Sequence, residues 1–131
     1  MLNCTMLQGR LTKAPELRHT QSGAAVCSFT LAVERSRKEQ DGSRKADFID
    51  CIAWGKTGEF VCQWFEKGQL MLVRGRLEGR DWEDKNGNKR RSWEVICEEA
   101  RFCEGKGGKT QAVSIEKDGF TQLEDDSDVP F

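Results

Sequence analysis

The sequence has little of what catalysis and metal binding require. Its 131 residues contain one histidine, His19, and none of the six cysteines forms a C-x-x-C pair. Such an inventory supplies neither a metal-ligand set nor a nucleophile–base pair, and the chain also lacks a glycine-rich phosphate loop. An enzyme is therefore the least supported class, and we expect no metal and no cofactor.

Long apolar runs are also missing. No segment approaches the ~20 apolar residues of a membrane span, and the first residues lack the pattern of a signal peptide. We therefore expect a soluble, cytoplasmic protein without a membrane segment. Cysteines stay reduced in that compartment, and Cys27, Cys51 and Cys97 fall at inward strand positions, so they are predicted to be small buried hydrophobes.

The net charge of −1 argues, as a total, against a nucleic-acid binder. However, the charge is unevenly distributed along the chain. Residues 1–103 carry 18 basic and 15 acidic side chains, whereas residues 104–131 carry 3 and 7. A weakly basic body thus precedes an acidic end.

Residues 46–54 predict a strand rich in aromatic and β-branched side chains. Alternation places Phe48, Asp50, Ile52 and Trp54 on one face. Because an unpaired ionised Asp50 is costly to bury, this face is predicted to be the open one. Two interpretations remain for Phe48 and Trp54 at this stage: platforms for unpaired bases, or core covered by a second layer.

Residues 70–82 predict a strand whose outer face carries arginines and ends in an aromatic. The members of this face are Arg74, Arg76, Glu78, Arg80 and Trp82. Such a stripe is typical of a groove that follows phosphates and stacks bases. The alternative is a solvated face with arginine stems lying over apolar surface.

Five strands are predicted in all, at 3–11, 24–34, 46–54, 70–82 and 92–102, with one helix at 57–67. We expect Thr57 to cap the helix, Gly68 to follow its end and Trp64 to pack in the core. Residues 15–23, including His19, and the polar stretch 35–45 are predicted loops. This order is that of an all-β OB-fold, a five-stranded barrel with a helix between the third and fourth strands.

Three segments follow from composition: a domain at 1–103, a flexible linker at 104–123 and an acidic tip at 124–131. A disordered acidic tail commonly only solubilises a protein. Here an apolar end, Val129-Pro130-Phe131, follows Asp125, Asp126 and Asp128. That arrangement suits a docking peptide whose apolar hook fills a pocket while its acids meet basic residues.

Several motifs together resemble those of the bacterial-type single-stranded-DNA-binding proteins. They are Met1-Leu2-Asn3, Gly9-Arg10-Leu11-Thr12, Pro15-Glu16-Leu17-Arg18, Phe29-Thr30-Leu31-Ala32-Val33, Ala46-Asp47-Phe48-Ile49, Trp54-Gly55-Lys56, Lys67-Gly68, Arg74-Gly75-Arg76-Leu77 and the terminal Asp-Asp-Ser-Asp-Val-Pro-Phe. The resemblance covers the body and the tip and leaves the linker unmatched. The combination is specific, although each piece alone is weak.

The resemblance implies a homotetramer that wraps single-stranded DNA at the nucleoid and performs no catalysis. It implies stacking roles for Phe48, Trp54 and Trp82. The basic residues expected to meet phosphates are Arg35, Arg37, Lys56, Arg74, Arg76 and Arg80. The tip residues Asp125, Asp126, Asp128, Val129, Pro130 and Phe131 are expected to recruit DNA replication, recombination and repair proteins.

Three positions depart from the family pattern, and one of them is Gln8, in a first strand that is more apolar in relatives and commonly helps form the subunit interface. Arg37 stands where many members carry an aromatic residue, so charge replaces one stacking platform. Asp50 stands where others often have a neutral or basic residue, and an acid beside a phosphate path is expected to weaken binding. Two other functions remain in competition: an RNA-binding OB module, which would recognise 2′-hydroxyls, and a protein-interaction domain, which would not explain the Arg/Trp stripe.

Overall fold

A barrel of β-strands with one helix makes up the computed structural model, which describes residues 1–103. The elements are β1 (Thr5–Leu11), β2 (Glu16–His19), β3 (Ala25–Lys38), β4 (Arg44–Trp54), α1 (Gly55–Trp64), β5 (Leu70–Glu83) and β6 (Lys89–Phe102). The predicted all-β class is confirmed, as is the helix between the third and fourth predicted strands, which correspond to β4 and β5.

The strand pairing closes five of the strands into a ring. The sheet order is β1-β5-β6-β4-β3-β2, and a further pairing of β1 with β3 completes the circle. Most neighbours run antiparallel, whereas β4 and β6 are parallel, with Cys51 opposite Val95. This connectivity is that of an OB-fold, with β2 added to the outer edge of β3.

The core lies inside this barrel and beneath α1. The strands contribute alternate residues to it, because successive side chains point to opposite faces. Its members are Leu11, Cys27, Phe29, Leu31, Cys51, Ala53, Val61, Phe65, Met71, Val73, Val95 and Cys97. The prediction for the three cysteines is confirmed: burial raises the pKa of Cys51 to about 12 and that of Cys97 to about 11, so both thiols stay protonated.

Gly75 permits the closest approach between β5 and β6. A Cβ atom at this position would lie 1.9 Å from the carbonyl oxygen of Ile96, well inside van der Waals contact. Only glycine leaves room for the backbone of β6 there. The close packing of these two neighbouring strands therefore depends on a missing side chain.

Two predicted loops are wrong in part. The stretch 15–23 contains β2, a strand whose four residues are all exposed and which pairs Leu17 with Cys27 of β3. Exposure on both faces leaves no alternation to detect, so backbone pairing alone defines it. In the stretch 35–45, β3 continues to Lys38 and β4 begins at Arg44, which leaves only residues 39–43 as the turn.

The helix bounds and one of its contacts also differ from the prediction. α1 begins at Gly55, directly after β4, and Trp54 occupies the N-cap position without a side-chain cap bond, so Thr57 is not the cap. The helix ends at Trp64 because Phe65 is extended and enters the core. Trp64 was expected in the core but is 44% exposed. The predictions for the linker and the tip, residues 104–131, lie outside the described residues.

Candidate nucleic-acid interface

An open groove of about 750 Å³ crosses the outer faces of β3, β4, β5 and β6. Its floor is apolar: Val26 of β3 lies opposite Trp54, and Ile52 of β4 lies beside Ile96 of β6. Val26 and Ile96 are buried, so they contribute little exposed surface to the groove floor. We refer to this surface as the outer groove.

β4 carries both predicted stacking residues of the central strand on this outer side. Trp54 is 49% exposed and Phe48 is 70% exposed. The prediction that their shared face is open is therefore confirmed, and the alternative of a covered core is excluded within residues 1–103. Trp54 lines the outer groove, whereas Phe48 lies six residues away along the strand, ~20 Å at the usual rise.

Trp82 lies in a second, shallower hollow near the tip of the β5–β6 hairpin. The hollow has a volume of about 470 Å³ and is lined by Asp81, Trp82, Glu83, Lys89, Arg90 and Arg91. The Trp82 Nε1–H donates to Ser92 Oγ across the hairpin at 2.7 Å, which fixes the orientation of the ring. The three predicted platforms thus occupy separate places on the surface.

Arg74 and Arg76 are held in ion pairs with β6. Arg74 donates from Nε to Glu99 (3.0 Å) and from Nη1 to Glu98 (3.3 Å). Arg76 donates from Nη1 to Glu98 (2.8 Å) and from Nε to Glu78 (2.7 Å). Hydrogen bonding, first to Arg101 and then to Arg74, lowers the pKa of Glu99. A phosphate would have to share or replace these carboxylates.

The other residues predicted to bind phosphate lie in different surroundings. Arg35 of β3 forms a two-pronged pair with Asp47 of β4, with donor–acceptor distances of 3.0 and 2.8 Å. This hydrogen bonding lowers the pKa of Asp47 and raises that of Arg35. Arg37 and Lys56 are exposed, the first on β3 and the second in the first turn of α1. Neither lines the outer groove.

The outer groove itself carries charges of both signs. Arg80 lines it and pairs with Glu94 at 3.5 Å. Asp50 also lines it, accepting a hydrogen bond from the Thr30 hydroxyl at 3.0 Å. The groove therefore presents an apolar, aromatic centre with balanced charge rather than a uniformly basic channel.

Sequence reasoning missed one side of the outer groove. Because β2 was predicted as a loop, Arg18 was not considered, yet it lines the groove and donates to Ser28 Oγ at 3.1 Å. His19 and Lys13 line the groove beside it. No periodicity marks these residues, and the motif Pro15-Glu16-Leu17-Arg18 indicated the family without indicating a binding role for Arg18.

Residues 1–103 contain neither a cluster of metal-ligating side chains nor a helix long and apolar enough to cross a membrane. No group of three or more metal-ligating side chains occurs in this part of the chain. Its one helix spans 10 residues, fewer than a bilayer requires.

An OB barrel with an open aromatic groove and paired arginines defines an oligonucleotide-binding type of domain. Comparison with known proteins narrows this class. The profile of the Single-strand binding protein family matches residues 2–103. "Single-stranded DNA-binding protein 1" of Streptococcus pyogenes serotype M18 is 40% identical over 131 residues, which is 100% of both chains.

Two further relatives are similar. "Single-stranded DNA-binding protein A" of Bacillus subtilis is 48% identical over 108 residues, 82% of this chain and 63% of that protein. "Single-stranded DNA-binding protein 2" of Clostridium acetobutylicum is 42% identical over 136 residues, covering 99% of this chain and 100% of that protein. The chain belongs to the single-strand binding protein family, which confirms the resemblance and the prediction of a binding protein rather than an enzyme.

Proposed function

We propose that this protein binds single-stranded DNA with little sequence preference and protects it during DNA replication, recombination and repair. The observation that carries the proposal is the exposed Trp54 ring beside the apolar floor of the outer groove. Every base has a π-face, so stacking on such a ring accepts any sequence. The names of the relatives, all single-stranded DNA-binding proteins, support the same ligand.

Binding is proposed to use three aromatic platforms and a set of basic residues. Bases stack on Phe48, Trp54 and Trp82, while phosphates meet Arg35, Arg37, Lys56, Arg74, Arg76 and Arg80. Four of these arginines are paired with carboxylates in the free protein. A DNA phosphate would therefore replace a carboxylate as the partner of each of these arginines. For this reason, stacking is proposed to supply a larger share of the affinity than it would in a purely basic channel.

Assembly, location and recruitment form the finer part of the proposal. The protein is proposed to act as a homotetramer in the cytoplasm, associated with the nucleoid. Its tip, residues Asp125, Asp126, Asp128, Val129, Pro130 and Phe131, is proposed to dock replication, recombination and repair proteins, with residues 104–123 as the linker. The acid-then-apolar order of the tip and the family membership of the chain support these roles.

The stacking proposal is tested with Trp54→Ala and Trp82→Ala, measured by the anisotropy of a labelled oligo(dT). Loss of one stacked base removes on the order of 1–3 kcal/mol of binding free energy. We therefore expect each variant to bind at least about fivefold more weakly. Trp64→Ala is the matched control, because Trp64 is a similarly exposed tryptophan on α1 outside both hollows.

Unchanged affinity of both Trp54→Ala and Trp82→Ala for oligo(dT) would refute the stacking roles. A matched RNA oligomer tests the nature of the ligand: equal or tighter RNA binding would contradict single-stranded DNA as the preferred partner, because only RNA offers 2′-hydroxyls.

A further inference from the structure

Trp93 is the most exposed of the four tryptophans, at 56%, and none of the roles above includes it. It lies on β6 one residue beyond Ser92, the cross-strand partner of Trp82. Because successive side chains of a strand point to opposite faces, Trp93 lies on the face of the β5–β6 hairpin opposite to Trp82. The hairpin therefore presents one tryptophan on each of its two faces.

The Trp93 ring is seated by a glycine on the neighbouring strand. A Cβ atom at Gly79 of β5 would lie 3.1 Å from Cζ3 and 3.2 Å from Cη2 of the indole. The benzo edge of the ring thus lies directly over the backbone of β5. A side chain at position 79 would push the ring away, so the glycine lets a large aromatic lie close to the hairpin.

A guanidinium flanks the same ring. Arg91 Cζ lies 5.9 Å from the centroid of Trp93, within the range of a cation–π contact. Across the hairpin, Arg91 Nε donates to Asp81 Oδ1 at 2.8 Å, and this bond raises the pKa of Arg91 and lowers that of Asp81. Arg91 is therefore oriented by two neighbours, and its charge lies beside an exposed aromatic surface.

Arg91 also joins this face to the Trp82 hollow, because it is one of the six residues that line that hollow. A single strand of DNA stacked on Trp82 would meet Arg91 next, and beyond Arg91 the Trp93 ring. One base would then stack on Trp82, the next phosphate would contact Arg91, and the following base would stack on Trp93. The two faces of the hairpin are thus connected by a side chain suited to a phosphate.

We propose that Trp93 and Arg91 form a fourth stacking site, over which single-stranded DNA continues after crossing the edge of the β5–β6 hairpin. The inference rests on the proposed function and extends it, since Trp93 binds a base that lies beyond the outer groove. DNA that reaches only the outer groove will not contact Trp93, whereas longer DNA will contact it.

The test measures the affinity of Trp93→Ala for labelled oligo(dT) of about 5 and about 16 nucleotides, the range of OB-fold site sizes. We expect the long oligomer to bind at least fivefold more weakly, roughly, and the short one to bind as it does to the wild type. Trp93→Phe, which keeps an aromatic face, is expected to recover most of the affinity. Trp64→Ala is the matched control, expected to bind both oligomers normally.

A second measurement uses the wild-type chain and does not depend on the folding of a variant. Oligo(dT) containing 5-iododeoxyuridine is irradiated in the complex, and the cross-linked peptides are identified by mass spectrometry. The proposal requires an adduct at Trp93. Adducts at Trp54 and Trp82 without one at Trp93 would overturn it.

Two other results would also overturn the fourth site. One is wild-type affinity of Trp93→Ala for the long oligomer; the other is a change in its oligomeric state by analytical ultracentrifugation that accounts for the lost affinity, which would make Trp93 a subunit contact. Failure of the proposed function is distinguishable, because in that case the wild type fails to bind DNA.

Discussion

Asp50 is an acid that lines the proposed DNA path. It lies on the same face of β4 as Phe48 and Trp54, lines the outer groove, and accepts a hydrogen bond from Thr30. A carboxylate there repels phosphates, yet its second oxygen remains an acceptor that a base amino group can use. These two effects have opposite signs, and a single substitution separates them.

Asp50→Asn keeps the shape of the side chain and an acceptor for Thr30 but removes the charge. If repulsion dominates, the variant will bind oligo(dT) more tightly, by up to about fivefold, because exposed charge interactions are worth ~0.2–1 kcal/mol. The gain should shrink as salt is added, since exposed charges are screened. Anisotropy titrations at two salt concentrations measure both effects.

The matched control for Asp50→Asn is Glu59→Gln, which removes an exposed acid from α1, outside the outer groove. It should leave the affinity unchanged. Weaker binding by Asp50→Asn would reverse the assignment and make the carboxylate an acceptor for the DNA bases.

At the residue scale, the sequence predicted the open face of β4 better than it predicted which side chains form ion pairs. Alternation along one strand placed Trp54 and Phe48 on an open face correctly, because the direction of a side chain depends only on its own strand. The ion pair between Arg76 and Glu98 depends on how β5 is aligned with β6, and the two residues are 22 positions apart. No local pattern encodes that alignment, so the arginine stripe looked more basic than it is.

At the scale of elements, the neighbouring strands β5 and β6 pack so closely at Gly75 that no side chain fits there. A Cβ at Gly75 would meet the backbone of Ile96, whereas one at Gly79 would meet only the side chains of Trp93 and Arg91. Backbone in a closed barrel cannot move without disturbing the pairing of several strands, but a side chain can rotate.

The two glycines therefore predict unequal losses of stability. We expect Gly75→Ala to lower the free energy of unfolding by at least ~1–3 kcal/mol, the usual cost of overpacking, and to do so by more than Gly79→Ala. Urea denaturation of the two variants measures the difference. A smaller loss for Gly75→Ala than for Gly79→Ala would contradict the close approach of β5 to β6.

The elements that sequence reasoning predicted correctly are those with one buried face. β3, β4 and β5 each alternate, so they were found, whereas the exposed β2 and the charged ends of β3 and β4 were not. The early start of α1 at Gly55 was missed because no side chain caps it. Tertiary pairing rather than local preference defines these segments.

At the scale of the whole molecule, the charge is divided between a weakly basic body and an acidic end. Residues 1–103 have three more basic than acidic side chains, whereas residues 104–131 have four more acidic than basic ones. Because the acidic end and DNA are both anionic, we predict that they compete for basic residues, most strongly at low salt. The net charge of −1 thus does not describe the surface that DNA would meet.

Deleting residues 125–131 separates DNA binding from partner docking. The affinity for oligo(dT) should rise at low salt and converge with that of the wild type at high salt, because the deletion removes a screened competitor. Replication and repair proteins that the immobilised full-length chain captures should no longer be captured by the immobilised deletion variant. Anisotropy measures the first effect and pull-down the second.

Two narrower variants assign these effects to different parts of the tip. Replacing Asp125, Asp126 and Asp128 by Asn should raise the DNA affinity nearly as much as the deletion, because charge causes the competition. Removing only Val129, Pro130 and Phe131 should abolish capture while leaving the DNA affinity close to that of the wild type, because the apolar hook fills the pocket of the partner. Retained capture without these three residues would contradict the docking role of the tip, and an unchanged DNA affinity in the Asn variant would contradict competition by charge.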